Sequence, residues 1–290
     1  MNKFTGIFPA LVTPFKSNGE INEKSLQKII KMNLEKGVKG FYVGGSTAEA
    51  FLLSMDERKY ILDIVAQECR EKCTLISHIG CIGTDHAIEL GEHSQALGFD
   101  AISSIPPFYY KFSFEEIKNY YFDIVNKVNL PMIIYNFPAF SGVSFNMNNL
   151  KEFAEDERFI GVKHTSYDLY QLEQIIKIDK RLTVFNGHDE VFLGALAMGA
   201  KSAIGSTYNF MAEKFIEIDR LFKDGKMAEA HLVQVKANEI IEVLIKVGVF
   251  QGVKYALELQ GIECNGVRKP FKPITEEGKK MLDKIYRCIS

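Results

Sequence analysis

A lysine closes a short apolar run in this chain. Arg158-Phe159-Ile160 leads into Gly161-Val162-Lys163-His164-Thr165-Ser166, so the Lys163 amine stands near the end of a stretch that reads as a buried strand. Burying an ammonium is costly unless it is paired or gives up its proton. A free lysine has a pKa of about 10.4, so roughly 4 in 10,000 are neutral at pH 7, whereas a desolvated one is shifted far enough to attack a carbonyl. The same residues also fit a lysine just past its strand with its head in water.

Other groups with chemistry stand after other apolar runs. Tyr135-Asn136 ends one, and a phenol there can carry a proton between an amine and a substrate, or be a core aromatic with a backbone partner. Gly44-Gly45-Ser46-Thr47-Ala48-Glu49 follows another. Two glycines allow close approach to a ligand, and Ser46 and Thr47 add hydroxyls beside free amides, a nest that suits a carboxylate. The pattern is neither a Walker loop nor a GxGxxG fingerprint, and a plain glycine turn is the alternative. Gly187-His188-Asp189-Glu190 and Gly205-Ser206-Thr207 follow two further runs; the acidic pair also fits the start of a helix. His164 and His188 have no second His or Cys at a ligand spacing, so no metal site is expected. His78, His86, His93 and His231 read as packing or surface residues, and Tyr109 and Tyr110 as loop aromatics suited to an interface.

These groups need elements to hold them. Strand-like runs at 7–12, 40–43, 75–79, 101–105, 132–135, 159–163, 182–185 and 202–205 alternate with amphipathic segments. Leu26, Ile29, Ile30 and Leu34 share one helix face, as do Ile61, Ile64, Val65 and Cys69. Ser54 with Glu57, and Thr84, look like helix caps. Most of the strand runs are continuously apolar, as parallel strands covered on both sides are. Eight repeats with no linker predict an α/β fold, a closed (β/α)8 TIM barrel over 1–225 with its site at the C-terminal strand ends. From 226 to 290 helical spacing through Leu232, Val235, Ile240, Leu244 and Val247, then Val253 and Leu257, then Leu282 and Ile285, predicts an appended helical extension within the same structural unit.

Composition narrows the partners. The chain has 290 residues, 47% of them hydrophobic and 25% charged, and 35 basic against 37 acidic residues leave a net charge of -2 with no run of one sign. Neither nucleic acid nor a membrane surface is suggested. Cys69, Cys73, Cys81, Cys264 and Cys288 form no CxxC pair and read as reduced thiols of a cytoplasmic protein. Pro9 and Pro14 break the apolar start, so no export signal is expected.

With lysine on the sixth strand, tyrosine on the fifth and Gly-Gly-Ser-Thr after the second, the whole chain resembles the class I aldolase family that contains dihydrodipicolinate synthase and N-acetylneuraminate lyase. The resemblance implies a barrel that assembles as a homotetramer, with Lys163 forming an imine to the keto carbon of pyruvate. It implies that Tyr135 relays protons, that Ser46 and Thr47 hold the pyruvate carboxylate, and that Tyr109 is lent across a subunit interface. Synthases of the family carry Tyr-Asn-x-Pro-x-Arg-Thr-Gly. Here the stretch is Tyr135-Asn136-Phe137-Pro138-Ala139-Phe140-Ser141-Gly142, so Phe140 stands where an arginine would grip a second carboxylate. Gly-Val-Lys-x-Thr-Ser, Gly-x-Asp-Glu and Gly-Gly-Ser-Thr-Ala-Glu look like the sialic-acid-cleaving branch. That match implies that Thr165, Gly187, Asp189, Glu190 and Ser206 bind a polyhydroxyl chain. The implied reaction is reversible cleavage of N-acetylneuraminate to pyruvate and N-acetylmannosamine. It calls for no metal or organic cofactor beyond the covalent imine at Lys163. The rival expectations are another pyruvate-dependent class I aldolase and a non-catalytic ligand-binding barrel. Borohydride reduction in the presence of pyruvate is expected to add a three-carbon fragment at Lys163 by peptide mass analysis; labelling at another lysine instead would refute the assignment.

Overall fold

The computed structural model describes residues 3–289, without the side chains of 288 and 289, so the Cys288 thiol lies outside what is described. The elements run β1 (Gly6–Pro9), α1 (Glu23–Lys36), β2 (Gly40–Val43), α2 (Met55–Cys69), β3 (Thr74–His78), α3 (Thr84–Ala96), β4 (Ala101–Ser104) and α4 (Phe114–Lys127). They continue with β5 (Met132–Asn136), α5 (Pro138–Ser141), α6 (Met147–Ala154), β6 (Phe159–His164), α7 (Leu169–Ile178), β7 (Thr183–Asn186), α8 (Phe192–Ala197), β8 (Ser202–Gly205) and α9 (Tyr208–Lys223). Last come α10 (Met227–Val247), α11 (Val249–Leu259) and α12 (Glu276–Ile289).

All eight strands are parallel neighbours in the order β1-β8-β7-β6-β5-β4-β3-β2. The ends of that order meet. Lys39 N donates to Ile7 O and Leu11 N to Tyr42 O, each at 2.9 Å, and Ala10 bridges Tyr42, which closes the (β/α)8 barrel. Side chains alternate across each strand, so two cores form. Ile133, Tyr135, Phe185, Ile204 and Phe8 pack inside the barrel, while Met132, Ile134, Val162 and Val184 face the helices.

The strands fall within a residue or two of the expected runs, with one instructive difference. The first was expected to continue to Val12, but the regular ladder stops at Pro9. Beyond it the backbone is held from outside the strand, since Val12 N donates to the Asn209 side chain at 3.1 Å. Ser54 and Glu57 form a reciprocal capping box on α2. Thr84 does not cap. It is already the first residue of α3, whose N-cap is Gly83 without a side-chain hydrogen bond.

The extension is helical as expected, and in α10 the buried face is not the whole of the apolar spacing. Its inward stripe is Ala230, Gln234, Ala237, Ile240, Ile241 and Leu244, whereas Leu232 and Val235 are exposed. The reason is polar. Gln234 accepts from Leu193 N at 3.0 Å and donates to Asp189 O at 3.2 Å, and Asn238 donates to Glu190 O at 3.0 Å. Those amides satisfy backbone groups of the turn after β7 that would otherwise be buried unpaired, and this fixes the rotation of the helix.

A second tie joins α11 to the loop after β2. Glu49 and Lys254 are fully buried and meet at 2.5 Å. Glu49 also accepts from Arg268 N at 2.7 Å, and Lys254 donates to Gly266 O at 2.7 Å. Removing one member of a buried ion pair strands the other charge, typically at a cost of about 3–5 kcal/mol. Lys254→Met is therefore expected to lower unfolding stability by about that much in urea titrations, with part of the loss recovered in the Glu49→Gln/Lys254→Met double variant. A single variant within about 1 kcal/mol of the parent would show that the pair holds nothing in place.

Candidate active site

Parallel register builds the centre of the site. Tyr135 stands directly beside Lys163 across β5 and β6, and Lys163 beside Phe185 across β6 and β7. On β6, Val162 packs outward, which turns Lys163 inward. Only 4% of it is exposed. Its Nζ lies 3.9 Å from the centre of the Tyr135 ring and 4.2 Å from that of Tyr42. Burial pulls the amine down from 10.5 to about 7, and the charge of Asp189 opposes that fall only weakly. About half of such lysines are neutral at pH 7. The strand reading of Lys163 thus holds, and the alternative with its head in water does not.

Tyr135 is also buried, and desolvation raises its phenol to about 12, partly offset by the neighbouring hydroxyls of Thr165 and Ser46. It is a neutral acid at physiological pH. Thr165 Oγ1 is buried beside the Tyr135 hydroxyl, and among the described residues it has no other polar partner. Gly187 is what makes room for it: a Cβ there would sit 1.9 Å from Thr165 Oγ1.

The loop after β2 forms two short 3-10 turns, Ser46–Ala48 and Ala50–Leu52, the first preceded by Gly44 at φ +75° and the two joined by Glu49 in the left-handed region. Gly45 is needed for packing, since a Cβ there would meet the Tyr42 ring at 2.6 Å. The amides at the start of such a turn have no partner within it, and Thr47 Oγ1 lies 2.7 Å from Ser206 Oγ. Backbone donors and hydroxyls from the loops after β2 and β8 thus converge as an anion cradle beside Lys163.

These groups share one cavity of about 300 Å³, lined by Ser46, Thr47, Tyr135, Lys163, Thr165, Gly187, Asp189, Glu190 and Ser206 among others. Of the expected site residues only Tyr109 is absent from it. Tyr109 is 84% exposed, at φ +78°, with its ring edge-on to Tyr110. Among the described lining residues Lys163 is the only lysine or arginine. Phe140 stacks on Phe137, centroids 4.2 Å apart, and Phe137 on Tyr135 at 5.7 Å. An aromatic wall thus occupies the side where a second carboxylate would need a guanidinium.

The acidic pair divides its work. Asp189 is buried; Thr207 donates to its Oδ2 from N at 3.0 Å and from Oγ1 at 2.7 Å. Burial raises this carboxyl to about 6 against the pull of those bonds. Glu190 is at the rim, accepting from Tyr167 Oη at 2.6 Å with His188 Nδ1 3.4 Å away. Burial pushes its pKa up, but His188 and Tyr167 together bring it below the usual value. The pair does open a helical turn, Asp189–Val191, ahead of α8, and both residues also line the cavity.

Sequence reasoning missed several lining residues: Phe137, Tyr167, His188, Thr207, and Ile241, Leu244, Ile245, Val249 and Phe250 from the extension. Thr207 was detectable as the residue after Ser206. Phe137 and His188 stand beside strand-end residues that the sequence does single out, Tyr167 lies on the connection between β6 and α7, and the five residues of the extension face the cavity because α10 and α11 close over the strand ends, which no local pattern announces.

The amine sets a pH signature. Its pKa is depressed on folding, so the unfolded chain binds more protons between about pH 7 and 10.5, and the penalty for burying Lys163 is greatest below pH 7 and shrinks as pH rises. Lys163→Met is expected to be more stable than the parent at pH 7 by up to about 4 kcal/mol, at about 1.4 kcal/mol per pKa unit, with the gap closing towards pH 10. Equal stabilities at pH 7 would mean that the amine is solvated.

Comparison with known proteins agrees with this geometry. The family model for the dihydrodipicolinate synthetase family matches residues 3–288. The chain is 41% identical over 273 residues to N-acetylneuraminate lyase of Enterobacter sp. strain 638, covering 93% of this chain and 92% of that one. Among solved structures it resembles a Clostridium difficile protein crystallised with mannosamine (42% identity, TM-score 0.96, 99% of each chain). It also resembles N-acetylneuraminate lyase from Fusobacterium nucleatum (38% identity, TM-score 0.94, 99% of each chain).

Proposed function

The chain belongs to the dihydrodipicolinate synthetase family, and from that premise we propose that it cleaves N-acetylneuraminate reversibly to pyruvate and N-acetylmannosamine as a Schiff-base lyase. The observation that carries this is Lys163, a buried amine near neutrality beside a neutral phenol and an anion cradle. The open-chain sugar acid places its carboxylate on the amides and hydroxyls of Ser46 and Thr47. Lys163 Nζ adds to the C2 ketone, water leaves, and a protonated imine forms. As the C3–C4 bond breaks, its electron pair moves into the imine to give an enamine while the C4 hydroxyl loses a proton.

Tyr135 relays that proton, with Thr165 and the substrate carboxylate in reach of it. Protonation of the enamine at C3 and hydrolysis release pyruvate and the free amine. The cationic intermediate gains from Asp189, whose charge is already felt at Lys163. Glu190, Ser206, the backbone at Gly187 and the remaining acceptor capacity of Asp189 take the sugar hydroxyls. The aromatic wall of Phe137 and Phe140, with no guanidinium, favours this uncharged polyol over a second carboxylate.

Assembly and compartment belong to the same proposal. A homotetramer in which Tyr109 serves a neighbouring subunit is supported by the exposure of Tyr109 and by its left-handed backbone, a strain that proteins keep where it serves a purpose. A cytoplasmic location accords with Cys69, Cys73, Cys81 and Cys264 being free thiols. Among the described residues no helix is long and apolar enough to cross a membrane.

A coupled assay should detect pyruvate released from N-acetylneuraminate by the wild-type protein. Tyr135→Phe is expected to lower turnover about 100-fold or more while borohydride still traps pyruvate at Lys163. Turnover within a few-fold of wild type would remove the phenol from the proton path.

A further inference from the structure

Tyr167 takes no part in the imine chemistry, yet it is held at the rim of the cavity by two directed contacts. It sits on the connection between β6 and α7 and is 61% exposed. Its ring lies flat on His188, with centroids 4.3 Å apart and planes 5° from parallel. Its hydroxyl donates to Glu190 Oε1 at 2.6 Å. His188 Nδ1 stands 3.4 Å from the same oxygen, and the far side of Glu190 is fixed through its backbone, whose carbonyl accepts from Asn238 on α10.

We propose that Tyr167 is a positioning residue that locks the Glu190 carboxylate in the orientation that reads the polyhydroxyl end of the sugar. The proposal rests on the function above and deepens it. A carboxylate offers about four lone-pair sites over its two oxygens. With Oε1 committed to Tyr167 and facing His188, the carboxylate has one preferred rotation, and its remaining acceptor sites are turned to the cavity it lines. A sugar hydroxyl then meets an acceptor already ordered, and the cost of ordering it on binding is avoided.

Position gives this residue its selectivity. Lys163 is at the bottom of the cavity and Tyr167 at its mouth. A three-carbon oxo acid bound to the amine fills only the inner end, whereas a sugar acceptor must occupy the outer end where Glu190 stands. Loss of the phenol is therefore felt by the sugar and not by pyruvate. The hydrogen bond also explains why the tyrosine hydroxyl is pushed up to about 12, since a phenolate there would face the carboxylate.

The test uses the full-length wild type, Tyr167→Phe and Tyr167→Leu in the condensation direction, with pyruvate saturating and N-acetylmannosamine varied. Borohydride trapping of pyruvate alone is measured alongside. Tyr167→Phe keeps the ring on His188 and is exposed enough to fold. It should raise KM for N-acetylmannosamine about tenfold, with kcat within about twofold and pyruvate trapping unchanged. Tyr167→Leu should do at least as much. A Tyr167→Phe enzyme with wild-type KM, or one that loses pyruvate trapping in the same proportion, would overturn the proposal. Failure of the wild type to trap pyruvate or to use N-acetylmannosamine would instead sink the function on which it rests.

Discussion

An amine excluded from water with no carboxylate against it is the constraint that the rest of the structure answers. The barrel could have packed an aliphatic side chain beside Tyr42, Tyr135 and Phe185 more cheaply. Instead it accepts a group whose charged form is unstable there, and the destabilisation appears as nucleophilicity. Burial sets the degree and Asp189 moderates it. That carboxylate is close enough for its charge to oppose the proton loss of Lys163, but it is tied to Thr207 rather than to the lysine. A direct ion pair would have kept the amine protonated and inert.

Around that centre the cavity has two unlike sides. Phe137 and Phe140 present aromatic faces, while Ser46, Thr47, Thr165, Glu190 and Ser206 present donors and acceptors. The inner end is suited to a small anion and the outer end to an uncharged chain of hydroxyls. Chemistry and recognition are thereby separated along one axis, the first belonging to the strands and the second largely to loops. This is the division expected when a rigid barrel carries variable connections.

What could be read in the amino acids follows the same division. Parallel strands buried on both faces leave continuous apolar runs, so β2 and β8 were legible to the residue and the barrel with them. Lys163, Tyr135 and the Ser46-Thr47 turn were legible because each breaks or ends such a run with a reactive group. The register that sets Tyr135 beside Lys163 was implicit in the barrel but not in either segment alone. The apolar spacing through Leu232 and Val235 announces the helix α10 but not its buried face, because Gln234 and Asn238 decide its rotation by hydrogen bonds to a turn some 45 residues earlier. Tyr167 was invisible for a related reason. Its partners, His188 and Glu190, come from the next strand's loop, and nothing near position 167 foretells them.

The grip of α10 on the turn after β7 bears on how this protein can be recombined. The acidic residues that line the cavity hang from backbone groups owned by one part of the chain and satisfied by another. A chimera that took its first eight strands from one relative and its terminal helices from a second would join two halves of a single recognition surface. Such exchanges should succeed only when the Asp189–Val191 turn and the amides of Gln234 and Asn238 travel together. The helical tail is thus inherited as part of the binding site, whatever its distance from the reactive nitrogen along the chain.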